Sequence, residues 1–379
     1  RMKLNFIARH IPGDAIAGLY NSVPPVKVGR VNAQAHIKGS PSDALTAVRF
    51  QAPQGTYPAT GEVLIAPDRS FTFRNVRLAV ADGEVRTAGK WNNRKWEAVA
   101  DARGVKVKQF INSQQLGQNL EHISLNDAEF KGRLILSGSS ESFGVKSIQP
   151  VDAKVQLAGG NVKITQLQLN EESFYTKLVA SRVGLGKLFK QTPPGLDGLA
   201  SGSFELAGSR NNFDSKTLRG RGEVNLTVAG GSIKASNILV ANGVYQAKVQ
   251  TKNIKLRQLA SRLSSQFQEP LTQGRLTSDF LVAGSTETFD TSTIKIKGKG
   301  RIRAGNSSIS IPQLQFNNGV YQAKFSANGI PLKGITSVPP QLQGKLTGNL
   351  LLSGSIKSFS PESFSTDNIR TIAQGQLDL

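Results

Sequence analysis

The string Asn-Gly-Val-Tyr-Gln-Ala-Lys stands twice in this chain, at 242–248 and at 318–324, 76 residues apart. Seven identical residues in a row are not a chance event in 379, so the chain is built from repeats. A repeat limits the fold to stacked copies of one supersecondary unit. Other markers keep the same register. A Gly-Ser pair closes a short apolar segment at Gly39, Gly138, Gly208, Gly284 and Gly354, with spacings of 99, 70, 76 and 70 residues. Tyr175, Tyr245 and Tyr321 lie 37 residues after the glycine of their own copy. A proline lies 14 residues before it in four copies (Pro25, Pro194, Pro270, Pro340), and Ser124 holds that place in the second. A phenylalanine lies five residues after it in four copies (Phe143, Phe213, Phe289, Phe359), and Ala44 replaces it in the first. The chain reads as one continuous array of units at 1–90, 91–179, 180–250, 251–326 and a truncated 327–379, cut from a longer array.

Before each marker glycine the residues alternate. The positions four and two residues back are Ala35 and Ile37, Leu134 and Leu136, Phe204 and Leu206, Phe280 and Val282, Leu350 and Leu352. Polar residues such as Arg133, Ser203, Asp279 and Asn349 fall between them. A period of two predicts a strand with one dry and one wet face. The residue six back is always small (Ala33, Gly132, Gly202, Ser278, Gly348), which leaves room for another backbone or a bound group. Gly159-Gly160, Gly230-Gly231 and Gly305-Asn306 read as hairpin turns, for four or five strands per unit. Helical periodicity is confined to 254–267 and, more weakly, to 106–119 and 183–190, or one short helix per unit. Helices this short do not cover the dry side of so many strands. The sheet must fold over on itself, meet a second sheet, or cover something that is not this protein.

The chain lacks cysteine, so disulfides and thiolate sites are excluded, and no apolar run reaches the length that spans a bilayer. The formal net charge is +21, and the densest basic stretch is Lys295, Lys297, Lys299, Arg301 and Arg303, all on one strand face. Ile and Gly alternate with these cations, whereas nucleic-acid platforms interleave aromatic rings. The stripe reads first as a solvated outer face that deters edge pairing and second as a site for an anionic partner, with nucleic acid third. His10, His36 and His122 have no metal-ligand spacing, and no carboxylate pair or nucleophile constellation recommends itself. The expectation is a protein with no catalytic residues, no metal and no cofactor. The recurrent tyrosine and phenylalanine read as packing residues.

The rhythm of apolar strand, Gly-Ser, loop with Phe, Gly-Gly hairpin, Asn-Gly-x-Tyr-x-Ala strand and short Leu-rich helix resembles the TamB family. The likeness is greatest to its cyanobacterial and chloroplast-envelope members, within the wider AsmA-like group. It covers nearly the whole chain as a style of repeat and contains no catalytic signature. The resemblance implies an all-β fold, an elongated curled β-sheet (a β-taco, or open solenoid-like groove) of ~70–76-residue repeats. It implies a periplasmic or intermembrane-space bridge, anchored in the inner membrane by a segment outside this stretch and working with an outer-membrane barrel partner. Phospholipid transport, outer-membrane protein assembly and protein translocation are the activities it implies. The family's barrel-contacting C-terminal domain has no match here. On that reading Ile37, Leu134, Leu136, Phe204, Leu206, Phe280, Val282, Leu350 and Leu352 line a groove for phospholipid acyl chains. The rival expectation is a closed β-solenoid that scaffolds protein partners without lipid cargo.

Overall fold

The computed structural model describes residues 2–15, 27–40, 42–92, 94–110, 123–139, 145–170, 172–190, 197–209, 216–259, 273–287, 292–331, 344–355 and 370–378. The marker prolines, the marker phenylalanines, His122 and segments 111–119 and 260–267 of the expected helices lie outside the described residues. The protein is all-β and antiparallel, and its sheet is not closed into a barrel. It packs as two compact units: Arg1–Gln115 with Leu125–Leu157 and Asn161–Leu178, and Leu116–Ser124 with Ala158–Gly160 and Val179–Leu379.

The first unit carries β1 (Met2–Pro12), β2 (Arg30–Ser40), β3 (Asp43–Ala52), β4 (Ala59–Ile65), β5 (Phe71–Val80), β6 (Gly83–Trp91), β7 (Lys95–Lys106), β8 (Glu129–Ser139), β9 (Val145–Leu157), most of β10 (Gly160–Leu169) and the start of β11 (Ser173–Gly184). From β1 to β9 each strand pairs antiparallel with the next. The second unit continues with β12 (Leu199–Ser209), β13 (Arg219–Val228), β14 (Gly231–Ala241), β15 (Val244–Lys255), β16 (Arg275–Ser285), β17 (Lys295–Ala304), β18 (Ser307–Asn317), β19 (Val320–Pro331), β20 (Lys345–Ser355) and β21 (Arg370–Asp378). Here too neighbours in sequence are neighbours in the sheet. The marker glycines Gly138, Gly208, Gly284 and Gly354 all lie at the ends of β8, β12, β16 and β20, so one repeat is four strands. Six strands, β3 to β8, run from one marker to the next in the first repeat, which accounts for its 99 residues.

The hairpins differ from the expected Gly-Gly turns by one residue. The turn residues are Ala158-Gly159 and Ala229-Gly230, all with positive φ, as a two-residue hairpin with the twist of its strands demands. Gly160 and Gly231 instead open the next strand. A Cβ on Gly160 would meet the Arg182 backbone at 2.5 Å, so the second glycine serves close approach of chains. The repeated heptapeptide begins in such turns, Asn242-Gly243 and Asn318-Gly319, both with positive φ.

One end of each four-strand set is tied down by a recurring device. Near the end of the fourth strand a residue with positive φ makes a bulge: Gly104, Arg182, Asn253 and Gly329. The next residue is driven inward, so Val105, Val183, Ile254 and Ile330 are buried, Ile254 to 1 % exposure. The bulge N–H is met from the next strand: Arg182 N donates to Ser201 Oγ (2.9 Å) and Gly329 N to Thr347 Oγ1 (3.3 Å). Lys106, Gly184 and Lys255 then donate to the carbonyls of Ala81, Ala158 and Ala229 in their own hairpins. Val107, Leu185 and Leu256 donate to the carbonyls of Ala128, Gly198 and Gly274, which precede the following strand. The expected helices begin later than the periodicity implies. Within the described residues they start at Val107 (3₁₀, Val107–Phe110), Leu185 (Leu185–Leu188) and Leu256 (Leu256–Leu259), because the β-ladder holds the chain extended through the bulge.

The fully buried core gathers at this tied end. In the second unit it is Leu185, Val228, Ala229 and Ile254, packed against Leu188, Phe189, Leu226 and Leu276. In the first it is Val80, Ala102 and Val105, with Leu78, Val85 and Phe130 around them. Ile254→Ala is expected to destabilise the second unit by about 2–5 kcal/mol. Ser201→Ala, which removes only the acceptor for the bulge N–H, is expected to cost about 1 kcal/mol. Urea unfolding followed by circular dichroism measures both.

Candidate functional site

Side chains opposite each other in an antiparallel pair share a face, so the strand registers define the apolar face row by row. In the second unit one row runs Val249, Phe280, Gly298, Leu314, Ala323, Leu352 across β15 to β20. The adjacent row runs Ala247, Val282, Ile296, Phe316, Tyr321, Gly354. Phe204 faces Gly222 and then Ile238, and Leu206 faces Gly220 and then Val240. In the first unit a row runs Phe6, Ala35, Val48, Val63, Phe73, Gly89, Ala98, Leu136, Ile148, and Leu134 lies between Ala100 and Pro150. Ile37 sits between Leu4 and Thr46. All nine expected lining residues therefore fall on the dry face of their own unit, and every one of them is half-buried. No row joins equivalent positions of successive repeats. The bulges shift the register, so the row from Phe280 reaches Leu352 instead of Leu350.

The small residues on this face are occupied, not vacant. Across Phe204, Phe280 and Phe73 stands a glycine of the next strand. A Cβ on Gly222 would lie 2.7 Å from Phe204 Cδ1, and one on Gly298 2.7 Å from Phe280 Cδ1. Gly202 is covered by Val224, whose Cγ2 would lie 2.9 Å away. Ser278 spends its hydroxyl on Thr251 Oγ1 (2.8 Å), which satisfies two polar groups within the apolar face. Rings laid flat over neighbouring glycines give the face a smooth surface where the sequence predicted a gap.

The recurrent tyrosine belongs to this packing. The Tyr245 ring lies over Gly284, at 2.8 Å from Cζ to where a Cβ would sit, and Tyr321 faces Gly354. Burial raises the phenol pKa of Tyr245 and of Tyr321, because the anion would lose its hydration. A raised folded-state pKa favours the protonated form in the fold. The contribution is complete below the usual phenol value of about 10 and is lost as pH rises through the higher folded values. Spectrophotometric titration is expected to show two tyrosines ionising late, with stability falling over that alkaline range. Tyr321→Phe should flatten the fall.

On the opposite face Lys295, Lys297, Lys299, Arg301 and Arg303 are all exposed, as the alternation of β17 requires. Elsewhere on the wet side cations face carboxylates across strands: Arg221 with Glu205 (2.6 Å), Arg49 with Glu62 (2.8 Å), Arg133 with Asp101 (2.8 Å). His36 Nδ1 pairs with Asn5 Oδ1 at 2.6 Å, and His10 is exposed in β1. Among the described residues no group of three His, Asp or Glu side chains is placed to hold a metal, and no helix is long and apolar enough to cross a membrane. Two features escaped sequence reasoning. The Asn, Ser or Thr seven residues before the marker glycine in four copies (Asn32, Ser201, Thr277, Thr347) reads as mere wet-face polarity, yet it accepts the N–H of a positive-φ residue in the preceding strand: His10, Arg182, Asn253 and Gly329 in turn. The pairing of ring with glycine was visible only as scattered glycines. No family model, curated protein or solved structure matches the chain.

Proposed function

We propose that the chain is a segment of a non-enzymatic bridge between the membranes of a cell envelope, and that its apolar sheet face holds phospholipid acyl chains. The observation that supports this reading is the half-exposure of the mid-face residues. Phe204, Leu206, Phe280, Val282, Leu350 and Leu352 remain partly accessible, while the buried clusters gather at the tied end and Ala323 and Tyr321 are buried on the same face. Each methylene transferred from water onto such a face is worth about 0.8 kcal/mol, so acyl chains are the natural occupant. The resemblance to the TamB family supplies the setting. The segment would lie in the periplasm or intermembrane space, held through its full-length protein to the inner membrane and an outer-membrane barrel, in phospholipid transport or outer-membrane protein assembly. The rival closed solenoid would set dry faces against each other and bury these residues as deeply as Ile254, and their accessibility favours the open face.

A photo-reactive phenylalanine at position 204 or 280, irradiated in intact envelopes, is expected to yield phospholipid adducts. The same residue at exposed Lys90, on the polar face of the first unit, should yield none. Folded protein that gives no lipid adduct from either dry-face position overturns the reading.

A further inference from the structure

We infer that the polar face of β15–β17 is a docking surface for an anionic lipid bilayer. This surface lies on the opposite side of the sheet from the apolar face, and it stands independently of the proposed groove. The register places three strands of cations side by side. β17 contributes its five. β15 adds Lys248, Lys252 and Lys255, and β16 adds Arg275. Against these nine the same face of the three strands offers one carboxylate, Asp279, paired with Lys248 at 3.3 Å. None of the five β17 cations is ion-paired among the described residues, although Arg221 and Lys234 on β13 and β14 have Glu205 and Glu223. The sheet balances its wet-face charge next door and leaves it unbalanced here, and unpaired like charges in neighbouring strands repel one another.

The same face of these strands also carries exposed apolar residues. Leu239, Val244 and Leu281 are 46 %, 56 % and 60 % exposed, on three adjacent strands. Leu239 and Leu281 border a shallow depression of about 610 Å³ with Lys248, Lys295 and Lys297. Exposed aliphatic side chains ringed by lysines match the interface of an anionic membrane, where ammonium groups meet headgroup phosphates and leucines reach the acyl boundary. Nucleic acid fits less well. The aromatic residues of these strands, Tyr245 and Phe280, lie on the other face, so no ring is available for base stacking.

The test is co-sedimentation of the 379-residue chain with vesicles of phosphatidylcholine alone, and of phosphatidylcholine mixed with phosphatidylglycerol. Binding is expected only to the mixed vesicles and should weaken as salt rises. The variant K295Q/K297Q/K299Q should bind on the order of a hundredfold more weakly. L281S, with its charge intact, should bind several-fold more weakly. A control that removes equal charge from the first unit, K3Q/K38Q/K90Q, should bind as the parent does. All the altered side chains are exposed, so melting curves should superpose. Equal losses in the two triple variants overturn the assignment, and so does an unaltered L281S. Capture by polyglutamate without binding to vesicles overturns it in favour of an acidic protein segment. Because none of these positions lies on the apolar face, failure here leaves the crosslinking result at Phe280 unaffected.

Discussion

The bulge that ends every fourth strand is the constraint on which the sheet depends. It places one aliphatic residue, Ile254 or its counterpart, in a fully dry environment and presents its own N–H to a hydroxyl of the next strand. The two hydrogen bonds that follow it lead back to a hairpin alanine and forward to the start of the next strand. The bulge adds to what the hairpins and the apolar pattern already do to hold successive repeats in one register, which matters where the strands are rich in glycine. The small hairpin residues follow from this. Ala158 and Ala229 must accept a neighbour's N–H, adopt positive φ and pack without bulk, and both are nearly inaccessible.

Fixing the register at one end frees the middle of the apolar face from the task of making a core. There the packing is lateral. Phe204, Phe280 and Tyr245 pack over glycines in the adjacent strand, and the expected lining residues stay half-exposed, with Ala323 and Tyr321 buried among them. A protein that needed only stability would fill such a face with a second layer. Keeping it smooth and accessible is consistent with a role for the surface itself, and the polar side shows a parallel economy. Its charges are neutralised in β12–β14 and left in excess in β15–β17.

Much of this was legible in the residues. The alternation before each Gly-Ser identified the strands and their dry side, the Gly-Gly and Gly-Asn pairs marked hairpins to within a residue, and the 99-residue spacing implied an enlarged first repeat, whereas the Asn-Gly turns were read as strand. The bulges were not legible, because Gly104, Arg182, Asn253 and Gly329 share no residue type. Their common property is a backbone angle imposed by the strands on either side. The same cause made the stretches 183–190 and 254–267 look helical from their start. Val183 and Ile254 belong to a leucine-rich periodicity, but the ladder claims them first. Parity along a strand is enough to say which residues share the apolar face. Equal numbers of residues from the marker glycine do not mean equal height, because the bulges shift the register.

That difference in height accumulates. From β16 to β20 the row starting at Leu276 arrives at Gly348, the row from Phe280 at Leu352 and the row from Val282 at Gly354, each two residues nearer the Gly-Ser end. At about 3.4 Å per residue the climb is roughly 7 Å for every four strands. A line of side chains beginning beside the buried end thus leaves the strands at their far margin after a few repeats, and a new line enters beneath it. The face is a staircase, not a rail. Anything travelling along the stacking direction at constant height must pass from one line of contacts to the next, so no single uninterrupted row conducts it from end to end.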